Sequence, residues 1–134
     1  MSHARRVFAA AVLGALAWAG APGAEAQPPI RIGASLAQTG ASAAPGQNQL
    51  RGYQLCVNHL NDKGGVLGPT LELAVYDDGT DAATAVRLFE QLITQDKADL
   101  VLGPFGATIT DAVADVTEKH KMPMVAHNAT ATSI

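Results

Sequence analysis

The sequence predicts a doubly wound α/β fold, a mostly parallel sheet with helices on both faces. Three observations predict it. Short apolar stretches near residues 30, 71, 100 and 124 are each separated by one segment with apolar residues at helical spacing. The stretch Leu100-Val101-Leu102 is continuously apolar, as in a strand buried on both faces. Single helices between successive strands imply parallel pairing through right-handed crossovers. The chain has 134 residues, of which 48% are hydrophobic, enough for one packed domain.

The first 26 residues read as an export signal. Arg5 and Arg6 supply the positive start, and an apolar run extends from Val7 to Ala19. That run is short of the roughly 20 residues of a membrane span. Ala24-Glu25-Ala26 is an A-x-A pattern, so cleavage is expected after Ala26. An uncleaved anchor is the alternative, and Arg5-Arg6-Val7-Phe8 partly matches a twin-arginine signal. Cys56 is the only cysteine, so no internal disulfide is possible. It is too far from the apolar run for a lipid anchor, and within a helical pattern it is expected to be a small apolar filler. With net charge -3, and two of the nine basic residues in the signal, the remainder is mildly acidic. This argues against a nucleic-acid partner and against a basic membrane-binding surface.

Gln27-Pro28-Pro29 is an extended lead-in, and Ile30 to Ala34 is the first strand. A Gly-, Ala- and Ser-rich loop is expected from Ser35 to Gly46. Leu50, Tyr53, Val57 and Leu60 then form a helix face, ended near Lys63 by Gly64-Gly65. Leu71 to Tyr76 alternates as the second strand, and Asp77-Asp78-Gly79 closes it. Asp81 is placed to cap the second helix, whose stripe is Ala85, Leu88, Phe89 and Leu92. After Leu100–Leu102, Gly103-Pro104-Phe105-Gly106 is a turn. Thr108-Ile109-Thr110-Asp111 fits a capping box with Thr108 as the cap. Ile109, Ala112, Val113 and Val116 form the third stripe, and Lys119, His120 and Lys121 suit the helix's negative end. Pro123 stops the helix, and Met124 to Ala126 is the fourth strand.

In such sheets ligands sit beyond the carboxyl ends of the strands. That edge carries the loops Leu36–Gln47, Pro104–Thr108 and His127–Thr132. No G-x-G-x-x-G or G-x-x-x-x-G-K-[ST] is present, which excludes the common nucleotide sites. Asp77 and Asp78 read as a polar turn rather than a phosphoryl or Mg²⁺ site. His3, His59, His120 and His127 lack metal-ligand spacing. His127 sits where it could touch a solute, or be a plain loop residue. No G-x-S-x-G elbow occurs, and neither Ser35 nor Ser42 has an evident base, so hydrolase chemistry has no support. Neither catalysis, metal nor cofactor is expected.

Gly106, Ala107 and Thr108 open a helix, whose free N–H groups and dipole favour a carboxylate. Asn128-Ala129-Thr130 offers carbonyls and a hydroxyl suited to an ammonium group. Together they could hold an α-amino acid head group. Equally, Thr108 could be only a cap and Thr130 only a turn residue.

Ile30-Arg31-Ile32-Gly33, Thr39-Gly40, Gly52, Asn61-Asp62-Lys63-Gly64-Gly65-Val66-Leu67-Gly68, Tyr76-Asp77-Asp78 and Val101-Leu102-Gly103-Pro104 occur in this order. The set resembles the leucine/isoleucine/valine-binding family, the periplasmic binding proteins of branched-chain amino acid ABC transporters. The resemblance runs from Ile30 to Ile134. It implies two α/β lobes of type I fold with solute between them, and residues 27–134 as the first lobe, truncated. It implies capture of an amino acid or related small solute, delivery to a membrane permease, and ligand contacts at Phe105, Ala107, Thr108, Asn128, Ala129 and Thr130. Ala107 stands where the family often has Ser, and Pro45 stands where some members place an aromatic residue. Related members take aromatic acids and amides. A ligand-sensing receptor domain shares the fold and is the alternative reading, followed by an exported α/β hydrolase.

Overall fold

The computed structural model describes residues 27–128 and residue 130. The expected export signal of residues 1–26, Ala129 and the final four residues lie outside them. The order is β1 (Ile30–Leu36), α1 (Ala43–Asp62), β2 (Leu71–Asp77), α2 (Ala82–Thr94), β3 (Leu100–Leu102), α3 (Ala107–His120) and β4 (Met124–Val125). The four strands form one parallel sheet in the order β2-β1-β3-β4. Helices lie on both faces, as the alternation predicted.

The α2–α3 face holds the core. Ala85, Phe89, Ala98, Val101, Ile109, Val113 and Val116 form one buried cluster, with Met122 and Met124 packed against it. The predicted stripe of α2 is buried at all four positions. In α3 the buried positions are Ile109, Val113 and Val116 joined by Thr110 and Thr117, while Ala112 is half-buried. Gly33 in β1 faces α2, since a Cβ there would lie 3.1 Å from Leu92 Cδ2. Lys119 and His120, at the end of α3, reach back to α2, where Lys119 Nζ and His120 Nε2 are each 2.7 Å from a Glu90 carboxylate oxygen.

On the other face α1 packs on β1 and β2. Leu50, Tyr53, Val57 and Leu60 point inward but are only half-buried, and Gly46 is its one buried residue. Coverage by a single helix leaves most of α1 in solvent, so Cys56 is exposed rather than a core filler. Leu55 is 72% exposed for the same reason.

Four boundaries differ from expectation, two of them by one residue, β2 running on to Asp77 and β4 stopping at Val125. β1 continues through Ser35 and Leu36, which pair with Tyr76 and Asp77. α1 begins at Ala43, so Pro45 and Gly46 lie in its first turn and not in a loop. Proline is tolerated there because its missing N–H would have no helical partner. Gly46 is required for a packing reason: a Cβ would fall 2.0 Å from the Ala37 carbonyl oxygen. The far end of α1 follows the predicted stop. Gly64 and Gly65 have φ of 95° and 82°, and Gly65 N donates to Leu60 O. Asn61 then ties the helix end to β2, its Oδ1 accepting from Leu71 N at 2.7 Å and its Nδ2 donating to Leu71 O at 2.9 Å.

Candidate functional site

All four strands run the same way, so their exits share one edge of the sheet. The exits of β1 and β2 are bound to each other. Asp77 accepts from the backbone N–H groups of Gln38, Thr39 and Gly79 and from the Thr39 hydroxyl at 2.7 Å. Desolvation raises the Asp77 pKa, but these four donors outweigh it and hold the carboxyl below its ordinary value. Asp78 is buried. It accepts from Ser35 Oγ at 2.7 Å and from Thr80 N at 2.9 Å. Gly40, at φ 81°, packs so closely that a Cβ would meet the Gly79 carbonyl oxygen at 2.2 Å. The aspartates are therefore a polar turn, as the sequence indicated, and they also lock two loops together. Asp81 caps α2 by accepting from Thr84 N at 2.7 Å.

The exits of β3 and β4 begin side by side. Val101 pairs with Met124 and Leu102 with Val125, and Gly103 N donates to Val125 O at 2.9 Å. From there one exit leads through Phe105 into α3 and the other through His127 to Asn128 and Thr130. The structure thus starts the two predicted ligand loops at neighbouring positions. Phe105 and Ala107 are half-buried, and Thr108, Asn128 and Thr130 are exposed.

Thr108 is not the cap of α3. Gly106 holds that position at φ 96° and ψ 142°, and no side chain among the described residues caps the helix. Thr108 lies inside the first turn, so the capping box is overturned. The cause is backbone geometry: the turn at Gly106 needs a positive φ, which glycine adopts freely. The amides of the first turn have no carbonyl one turn earlier to bond. Thr110 turns its hydroxyl back onto Gly106 O at 2.8 Å.

One group at this edge was missed in the sequence. Gln49 and Tyr53 lie one turn apart on the inward side of α1. Gln49 Nε2 donates to Tyr53 Oη at 2.8 Å and to Gly103 O at 3.3 Å. Tyr53 Oη is 3.1 Å from His127 Nδ1, and the two rings meet edge-on at 5.6 Å. Burial pushes the Tyr53 hydroxyl pKa up, against the bond from Gln49. Gln49 Oε1 is buried without a partner among the described residues. A glutamine and a tyrosine four residues apart on a helix's apolar stripe were the available signal.

Among the described residues, no group of three or more His, Cys, Asp or Glu side chains could hold a metal ion. Among them too, no helix is long and apolar enough to cross a membrane.

Comparison with known proteins gives a consistent picture. The model of the periplasmic binding protein family matches residues 29–133. A leucine-, isoleucine-, valine-, threonine- and alanine-binding protein of Pseudomonas aeruginosa is 30% identical over 105 residues, 78% of this chain and 28% of that protein. The chain thus spans little more than a quarter of the curated relative's length. The branched-chain amino acid transporter substrate-binding protein LivJ of Streptococcus pneumoniae, solved with isoleucine, superposes with a TM-score of 0.75 at 31% identity, covering 78% of this chain and 30% of that one. A solute-binding protein of R. palustris, solved with benzoate, shares the fold with a TM-score of 0.66 at 24% identity, covering 75% and 28%.

Proposed function

This chain belongs to the periplasmic binding protein family, and from that premise we propose that it captures an amino acid or related small carboxylate or amide outside the cytoplasm for an ABC uptake system. In this reading residues 1–26 direct export and are removed, and residues 27–134 form the first lobe of a two-lobed solute trap. A membrane permease receives the solute, and no catalysis is involved.

The observation that carries the reading is the open state of the β3–β4 exits. Among the described residues no side chain caps the α3 end at Gly106, and Asn128 and Thr130, on the neighbouring exit, are exposed. The helix end suits a carboxylate, and carbonyl and hydroxyl groups suit an ammonium. The relatives support the solute class: the Pseudomonas protein is named for binding leucine, isoleucine, valine, threonine and alanine, and LivJ was solved with isoleucine. Residues 27–134 supply one face of such a cleft, so tested by themselves they are expected to bind weakly. Titration of the ¹⁵N-labelled chain with leucine, isoleucine and benzoate tests this. Saturable shifts confined to residues 105–108 and 127–130, at millimolar concentrations, are expected. Micromolar affinity, or shifts elsewhere only, would sink the half-site reading.

A further inference from the structure

We propose that Gln49 and Tyr53 are positioning residues: from α1 they set the spacing of the β3 and β4 exits, and so of the two loops of the half-site. The inference rests on the solute-binding reading for its purpose, but not for its geometry.

The pairing of β3 with β4 ends at Leu102 and Val125. Past it, the one backbone bond between the exits among the described residues is Gly103 N to Val125 O. There the chains part, one into α3 on the far face and one toward Thr130. Both are gripped from the near face. Gly103 O accepts from Gln49 Nε2, with Tyr53 Oη at 3.5 Å. His127, one residue before Asn128, meets the same Tyr53 hydroxyl and the edge of its ring. One hydroxyl, itself fixed by Gln49, therefore touches the roots of both loops. With Nδ1 of His127 as the acceptor, Gln49 donates to Tyr53 and Tyr53 donates to His127.

Gln49 separates positioning from plain stability. Its Oε1 is buried and has no partner among the described residues, which costs folding free energy. Replacing the side chain with an apolar one of similar size removes that cost together with the grip on Gly103. Such a substitution also leaves the buried Gly103 carbonyl without its amide donor, so relief and loss partly cancel in stability while the exits still loosen.

The test is amide hydrogen exchange and thermal melting of the full chain with Tyr53→Phe and Gln49→Leu. Loss of one hydrogen bond speeds local opening by about five- to tenfold. That acceleration is expected at residues 103–106 and 126–128 in both variants, with exchange in α2 and β1 unchanged. The melting temperature of Gln49→Leu should change by no more than about 5 °C, because relief at Oε1 offsets part of the loss at Gly103. A larger fall in melting temperature with exchange accelerated everywhere, or unchanged exchange at the exits, would overturn the proposal. Where the wild-type chain shows solute shifts, Tyr53→Phe should weaken them about fivefold. A wild-type chain without solute shifts ends the binding reading and leaves the exchange result to decide the brace.

Discussion

At the exits of β1 and β2, Asp77 accepts four hydrogen bonds, Asp78 binds a buried serine, and Gly40 lies against the Gly79 carbonyl. At the exits of β3 and β4, the side chains of Thr108, Asn128 and Thr130 make no hydrogen bond among the described residues, and α3 starts uncapped. Both regions lie on one edge of one sheet, yet the first is closed by the side chains of its own loops, while the second is tied only at its roots, through Gly103 and His127. A closed edge contributes stability and has few groups left for a ligand. An open edge contributes little stability and keeps its donors and acceptors available. The motifs Thr39-Gly40 and Asp77-Asp78, which carry part of the family resemblance, belong to the closed half and serve the fold.

The contrast breaks most sharply at Gly40. An alanine there must hold φ near 81° and place its Cβ 2.2 Å from a carbonyl oxygen. Strain of about 1–3 kcal/mol and overpacking of similar size give a loss on the order of 3 kcal/mol, read by urea denaturation. Asp78→Ala should follow at about 2 kcal/mol, because it leaves the buried Ser35 hydroxyl without its acceptor. If either variant proves as stable as the wild type, the closed half is not the structural one.

Asp77→Asn sharpens the same point more gently. The carboxylate is exposed and screened by solvent, so the loss at neutral pH is about 1 kcal/mol or less. Its pH dependence is the better signature. The folded pKa is lowered from 3.8, so the contribution is fully present above that value and is lost as pH falls through the folded pKa. The acid limb of the stability curve should therefore flatten in Asp77→Asn. An unchanged limb would show that the four donors add nothing.

Much of the fold was legible because it rests on local patterns. The stripe of α2, the Asp81 cap and the Gly64-Gly65 stop each sit within a few residues of what they control. The errors share a different cause. Pro45-Gly46 looks like a loop until Ala37 O is placed against Gly46. The Thr108 pattern fits a capping box until Gly106 takes a positive φ. Cys56 falls among the helix's apolar residues, but α1 is covered on one side only. In the candidate site, the two loops could be placed by topology alone. The contacts of Gln49 with Gly103 and of Tyr53 with His127 span 54 and 74 residues, beyond any local signal.

The smallest expected effect carries the most weight for the open half. Thr108 makes no side-chain hydrogen bond among the described residues, and it lies inside the first turn of α3. Thr108→Ala should therefore change stability by no more than about 0.5 kcal/mol, since a surface residue without a partner has little to lose. A true N-cap would behave otherwise, because replacing Thr by Ala there costs about 1 kcal/mol, up to 2. Denaturation of this one variant thus separates a capped helix end from an open one. A neutral result in stability, together with weaker leucine-induced shifts at residues 105–108, would mark Thr108 as a group kept for the solute. A loss of 1 kcal/mol or more would return it to the role of a cap and leave the two halves of the edge less different than their geometry indicates.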